Sequence, residues 1–96
     1  MKVKWTQLSK DDYFQNIEYL EIYWSEKEVL NFITEVDFII DLLSKNNITF
    51  LKSDFESVFK VVVLKQITLY YSIEHDTVFL MRFWNNHQDL KNLKIK

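Results

Sequence analysis

The sequence predicts a small α+β domain with the order β-α-α-β-β-β, a small antiparallel sheet with a helical hairpin packed on one face. Two amphipathic stripes with a spacing of three to four residues fill most of the first half. They are separated by a Ser-x-x-Glu capping box at Ser25 and Glu28, so they read as two helices. Residues 57–64, 67–73 and 77–84 are dominated by β-branched and aromatic side chains, the composition of strands. With 96 residues, 48% of them hydrophobic, the chain suits one domain over 1–96 with a single core.

Taken in order, residues 2–6 fit a short edge strand carrying Val3 and Trp5 on one face. Ser9 with Asp12 has the spacing of an N-cap followed by an acid in the first turn. Tyr13, Ile17, Leu20 and Trp24 then form the stripe of a helix over about residues 8–23. From Ser25 a second helix carries Val29, Ile33, Val36, Ile40 and Leu43, widened by Phe32 and Ile39. Asn46-Asn47 ends it, because asparagine tolerates the left-handed conformation that glycine would otherwise supply. Residues 48–56 follow no clean period and read as a connector with room for a short strand.

In the third block Ile67, Leu69, Tyr71 and Ile73 alternate with Thr68, Tyr70 and Ser72, the pattern of a strand with one covered face. Glu74-His75-Asp76 is a hairpin turn, and His75 is assigned to it as a turn residue. The last strand is apolar on both sides, with Val78, Leu80 and Trp84 opposite Phe79, Met81 and Phe83, and belongs centrally. Residues 89–93 suit a final helical turn on the sheet edge. The polar tail Asn85-Asn86-His87-Gln88-Asp89 lies where the sheet ends, and recognition or chemistry is expected there.

Composition narrows the function. The absence of cysteine excludes disulfides, thiolate metal sites and a cysteine nucleophile, and two histidines without cysteine match no zinc spacing. No cofactor is expected. Without glycine no phosphate-cradling loop can form. Glycine, proline and alanine are all missing, and eleven lysines accompany the single arginine, Arg82, a bias that fits an AT-rich genome. The net charge of −2 argues against a strong nonspecific grip on nucleic acid, although the second half alone carries seven basic and five acidic residues. No secretory signal follows the basic start, and no apolar run reaches the roughly 18 residues of a membrane span. A cytoplasmic, soluble protein with no membrane role is expected.

The ordered set Val3-Lys4-Trp5, Ile17-Glu18-Tyr19, Phe59-Lys60-Val61-Val62-Val63, Leu69-Tyr70-Tyr71-Ser72-Ile73 and Leu80-Met81-Arg82-Phe83-Trp84 resembles the RelE/ParE toxin superfamily of bacterial type II toxin–antitoxin systems. The tail His87-Gln88-Asp89-Leu90-Lys91-Asn92-Leu93 looks like a variant of the polar segment with which that family often closes. The resemblance covers nearly the whole chain. It implies a growth-inhibiting toxin neutralised by a cognate antitoxin, whose extended and helical tail wraps it. The target would be DNA gyrase for a ParE-like member, or mRNA on the ribosome for a RelE-like endoribonuclease.

For the nuclease branch the resemblance points to Lys60, Arg82 and His87 as catalytic residues. Cations would neutralise the scissile phosphate, and a histidine has the intrinsic pKa to move a proton. Two positions depart from that branch: Thr68 replaces the arginine common in the middle strand, and Asn85 stands where a histidine is frequent. With the acidic balance, these departures favour a non-hydrolytic, ParE-like mode; a degenerate toxin that only binds its antitoxin is the third reading. Each candidate also has an ordinary structural role. Lys60 and Lys65 suit solvated strand-edge charges, Arg82 can hold the tail or pair with an acid such as Asp89, and His87 suits a plain surface. Asp11-Asp12 is explained by capping, and at most one of Tyr70 and Tyr71 can offer a stacking surface, since neighbours on a strand face opposite sides.

Overall fold

A computed structural model describes residues 1–46 and 51–95. Strand β1 (Lys2–Trp5) leads into helix α1 (Gln7–Tyr23) and helix α2 (Glu26–Ser44). Strands β2 (Leu51–Lys52), β3 (Phe59–Leu64), β4 (Ile67–Glu74) and β5 (Thr77–Asn85) follow, and a 3-10 turn at Leu90–Asn92 closes the chain. The predicted α+β order and the helical hairpin are present, with β2 inside the expected connector. Asn47 and residues 48–50 of that connector lie outside the described residues.

The sheet runs β1-β5-β4-β3-β2. The pairings of β2 with β3, β3 with β4 and β4 with β5 are antiparallel, whereas β1 lies parallel to β5, so the sheet is mixed. A parallel pair needs a long connection, and almost the entire chain supplies it here. The turn between β4 and β5 is built by His75 and Asp76, both with positive φ (47° and 68°), as a two-residue hairpin of this twist demands. Asn46 likewise takes φ 54° just beyond α2, where the sequence places a left-handed cap.

α2 starts as expected, with the Glu28 amide donating to the Ser25 hydroxyl at 3.2 Å. Its most buried residues are Val29, Phe32, Val36, Ile39 and Leu43, so the residues expected to widen the stripe lie at its centre. α1 starts differently from the expectation. Thr6, not Ser9, is the N-cap and accepts from the Ser9 amide, while Ser9 is wholly buried inside the first turn. Trp24, expected in the inward stripe, is the exposed C-cap residue, with the Lys65 ammonium 5.1 Å above its ring.

The main core lies between the helices and one sheet face, around Phe32, Leu20, Leu69, Tyr71, Leu80 and Phe83. The register of β5 against β4 shifts between Tyr70 and Tyr71, because Arg82 pairs with Tyr70 but Leu80 pairs with Tyr71. Met81 is therefore an extra residue. Such a bulge moves every later side chain to the other face. Val78, Leu80 and Phe83 consequently share the helix side, while Trp84, expected beside Val78 and Leu80, joins a second cluster with Val58, Tyr70 and Leu93 on the opposite face. Thr68 and Tyr70 are buried as well, so β4 has two covered faces at its start rather than one. Leu93, just after the final turn, packs into that second cluster, whereas Leu90–Asn92 of the turn itself are exposed.

Candidate functional site

β1 runs alongside β5 only as far as Leu80, and Thr6 extends the ladder by one bond, its amide donating to the Leu80 carbonyl at 3.3 Å. Beyond that point β5 would offer an unpaired edge, whose buried N–H and C=O groups must find partners. α1 supplies them from its side chains. The Phe83 amide donates to Asp12 Oδ2 at 3.1 Å, and Asn16 Nδ2 donates to the Phe83 carbonyl at 2.9 Å. Asn16 also donates to the Asp12 carbonyl one turn back.

Arg82 is locked into the same arrangement. Its Nε donates to Asp12 Oδ2 at 2.6 Å and its Nη2 to Oδ1 at 3.1 Å, a bidentate pair in which both side chains are largely buried. Nη1 donates to the Lys94 carbonyl at 2.6 Å, and the guanidinium carbon lies 5.7 Å from the Trp84 ring centre. The acid that pairs with Arg82 is thus Asp12 rather than Asp89, and Asp12 is not a helix cap. Asp11 remains outside, accepting from Gln7. Arg82 does hold the tail, through Lys94.

The other candidates separate. Lys60 is directly opposite Tyr70, which is opposite Arg82, so the three form one row across the helix-free face. Among the described residues Lys60 makes no ion pair within 4 Å. His87 is exposed beyond the end of β5, and its ring stacks on Tyr19 of α1 at 6.3 Å. It follows a turn in which its own amide donates to Asn85 Oδ1, and Asn85 is 8% exposed. Thr68 donates to Asn86 Oδ1, and Asn86 donates to the Lys65 carbonyl, so of the two departures from the nuclease pattern Thr68 helps tie the end of β5 to the β3–β4 turn, while Asn85 shapes the turn that leads to His87. Lys65 itself covers Trp24, and His75 stays within its turn.

Tyr70 and Tyr71 do face opposite sides, but neither offers an open stacking surface. Tyr71 is in the main core, and Tyr70 lies under Leu93 with the Phe55 ring edge-on at 6.0 Å. Burial first, and the nearby Asp54 carboxylate second, push the Tyr70 phenol above its ordinary pKa. A polar cleft of about 210 Å³ opens between α1 and β5, lined by Asp12, Gln15, Asn16, Tyr19, Arg82 and Asn85. Its carboxylate and its guanidinium neutralise each other. Among the described residues no group of three or more His, Asp or Glu side chains is placed to hold a metal ion. No helix among them is long and apolar enough to cross a membrane.

Asp12, Asn16 and Lys94 were not evident as site residues in the sequence. The signal for the first two was the line Ser9, Asp12, Asn16 at helical spacing, polar side chains on a face that also carries Leu20.

No family model matches the chain, and no curated protein sequence matches it. Solved structures do. The chromosomal ParDE toxin–antitoxin system of P. aeruginosa contains a chain that superposes with a TM-score of 0.72 at 12% identity, over 88% of this chain and 95% of that one. A copper-bound mutant toxin from Helicobacter pylori gives 0.65 at 14% identity, over 91% and 96%. The YoeB dimer of Staphylococcus aureus gives 0.58 at 10% identity, over 92% and 98%. The chain therefore shares the fold of these structures along nearly its whole length, which agrees with the fold that the sequence resemblance implies.

Proposed function

We propose that the chain is the toxin of a type II toxin–antitoxin system, acts in the cytoplasm in a ParE-like manner on DNA gyrase, and is neutralised by a cognate antitoxin. Likeness to toxin structures over nearly the full length supports the toxin reading. The observation that carries the non-hydrolytic mode is the state of Arg82. The one arginine of the chain has its charge paired with Asp12 through Nε and Nη2 and its third nitrogen, Nη1, bonded to the Lys94 carbonyl, which supports a holding role over binding a phosphate. His87 stacks on α1 while Lys60 lies on the helix-free face two strands away from β5, a placement that supports the non-hydrolytic reading over shared acid–base chemistry on one phosphate.

A protein partner is supported by apolar side chains left in solvent on the hairpin. Phe14, Ile22, Leu30 and Phe38 are each more than half exposed. Their helices carry nine acidic residues and two lysines (Lys10 and Lys27), which suits a partner with basic residues around an apolar stripe.

Induction of the chain alone is expected to arrest growth, and co-expression of the small reading frame beside its gene to restore it. With purified protein, gyrase-dependent cleavage of supercoiled DNA is expected and codon-specific cuts in translated mRNA are not. Cuts abolished by His87→Ala or Arg82→Ala would establish the endoribonuclease instead. Antitoxin binding without either activity would identify a degenerate toxin.

A further inference from the structure

The polar cleft between α1 and β5 is bounded by two asparagines whose amides are oriented from behind. Asn16 is 5% exposed, and its Nδ2 donates to the Asp12 and Phe83 carbonyls, so its side-chain oxygen is left over. Asn85 is 8% exposed, and its Oδ1 accepts from the His87 amide, so its side-chain nitrogen is left over. An amide held at one end by main-chain groups cannot be turned over without breaking those bonds. Among the described residues neither the Asn16 oxygen nor the Asn85 nitrogen has a hydrogen-bond partner, and neither is sealed from solvent as Gln66 Oε1 and Trp84 Nε1 are. Both side chains line the cleft of about 210 Å³. It therefore presents one acceptor and one donor, each on a nearly buried side chain.

The walls select the ligand. Asp12 and Arg82 form an ion pair at the cleft, so an entering carboxylate would meet Asp12 and an entering ammonium would meet the guanidinium. Gln15 and Gln88, which also line it, are neutral and exposed. The complement of the two asparagines is a neutral group with a carbonyl oxygen and an N–H, and a primary carboxamide carries both on one carbon. A nucleobase edge can offer the same two atoms, but it arrives with phosphates. α1, which forms one wall, holds Asp11, Asp12, Glu18 and Glu21 against Lys10 alone, a balance that repels a polyanion. A glutamine or asparagine side chain brings no charge past that wall.

We propose that this cleft is a recognition pocket for the side-chain carboxamide of a polypeptide partner, with the Asn85 nitrogen donating to its carbonyl oxygen and the Asn16 oxygen accepting from its N–H. The pocket stands on the orientation of the two asparagines and the charge of the walls. Only the assignment of that partner to the antitoxin rests on the function proposed above.

The test uses the full chain, isotopically labelled, with the capped amino acid N-acetylglutamine methylamide as the probe, and follows the side-chain amide resonances of Asn16 and Asn85 by NMR. A saturable shift of the Asn85 signals is expected. The glutamate and methionine counterparts have nearly the same shape but lack a neutral donor and acceptor on one carbon, and should bind roughly tenfold more weakly, as the loss of a hydrogen bond to a nearly buried partner implies. Asn85→Asp keeps the oxygen that the His87 amide uses and removes the donor, so it should weaken the glutamine probe by a similar factor. The Asn16 signals, fixed by two main-chain carbonyls, record whether that wall stays intact in the variant. No saturable shift, equal binding of the three probes, or unchanged affinity in the variant would overturn the proposal. Uridine binding more tightly than the glutamine probe would also overturn it, giving the cleft to a nucleobase. Should Asn85→Asp fail to fold, the ranking of the probes on the unaltered chain decides by itself. Neither growth arrest nor gyrase enters these readouts, so the pocket and the toxin assignment fail separately.

Discussion

The two helices of the hairpin pack on the same sheet but bury opposite kinds of side chain. α2 buries Val29, Phe32, Val36, Ile39 and Leu43, whereas α1 buries Ser9, Asp12 and Asn16 together with Leu20. The difference lies in what each helix covers. A sheet face exposes apolar side chains and rewards an apolar stripe, while a strand edge exposes N–H and C=O groups and must be met by polar atoms. α1 covers the edge of β5 beyond Leu80, and its inward polar line replaces the strand that is missing there.

The sharpest way to break this comparison is to remove one key group from each helix. Phe32→Ala is expected to cost about 3–5 kcal/mol through the cavity it leaves. Asp12→Ala should cost about 3 kcal/mol despite deleting a much smaller side chain, because the Arg82 charge and the Phe83 amide both lose their partner. Urea unfolding with unchanged m-values measures both. A loss below about 1 kcal/mol for Asp12→Ala would show that the edge does not depend on α1.

Asn16→Ala deletes the amide that donates to the Phe83 and Asp12 carbonyls but leaves the Arg82 pair intact, and a loss of about 1–3 kcal/mol is expected, with faster amide exchange concentrated at the end of β5. The hairpin also contributes to pH dependence. Burial first, and Asp37 second, raise the Tyr13 phenol pKa, and Tyr70 is raised in the same direction. A raised phenol pKa means that the unfolded chain ionises first. The stabilisation is therefore complete below about pH 10 and is lost as pH climbs through the folded value. Tyr13→Phe should flatten that alkaline decline in a series of urea midpoints. The smallest effect is expected from Asp41→Asn, which breaks the exposed pair with Lys45 at 3.0 Å and should change stability by no more than about 0.5 kcal/mol.

Much of this was legible in local pattern. The Ser25 box, the α2 stripe, the Asn46 stop and the His75 turn depend on residues within a few positions of one another, and all four occur where the sequence puts them. Two kinds of feature were not legible. The Met81 bulge breaks an alternation that continues unbroken in the sequence, and it carries Trp84 to the face opposite the one its spacing implied. Asp12 was read as a capping residue because its real partners are Phe83 and Arg82, about 70 positions away.

The candidate site divides along the same line. Arg82 as a tail-holding residue and His75 as a turn residue were evident from their neighbours, while the row Lys60, Tyr70, Arg82 exists only through strand pairing. The sequence by itself determined the order of elements, the helix stops and the apolar supply of the core, because periodicity and capping are local properties. Tertiary structure alone decided that α1 would lie on an edge, that Arg82 would pair with Asp12, and that Leu93 and Ile95 would pack on the helix-free face. Those outcomes arise from satisfying buried polar groups between segments far apart in the chain, and no local pattern records which segments will meet.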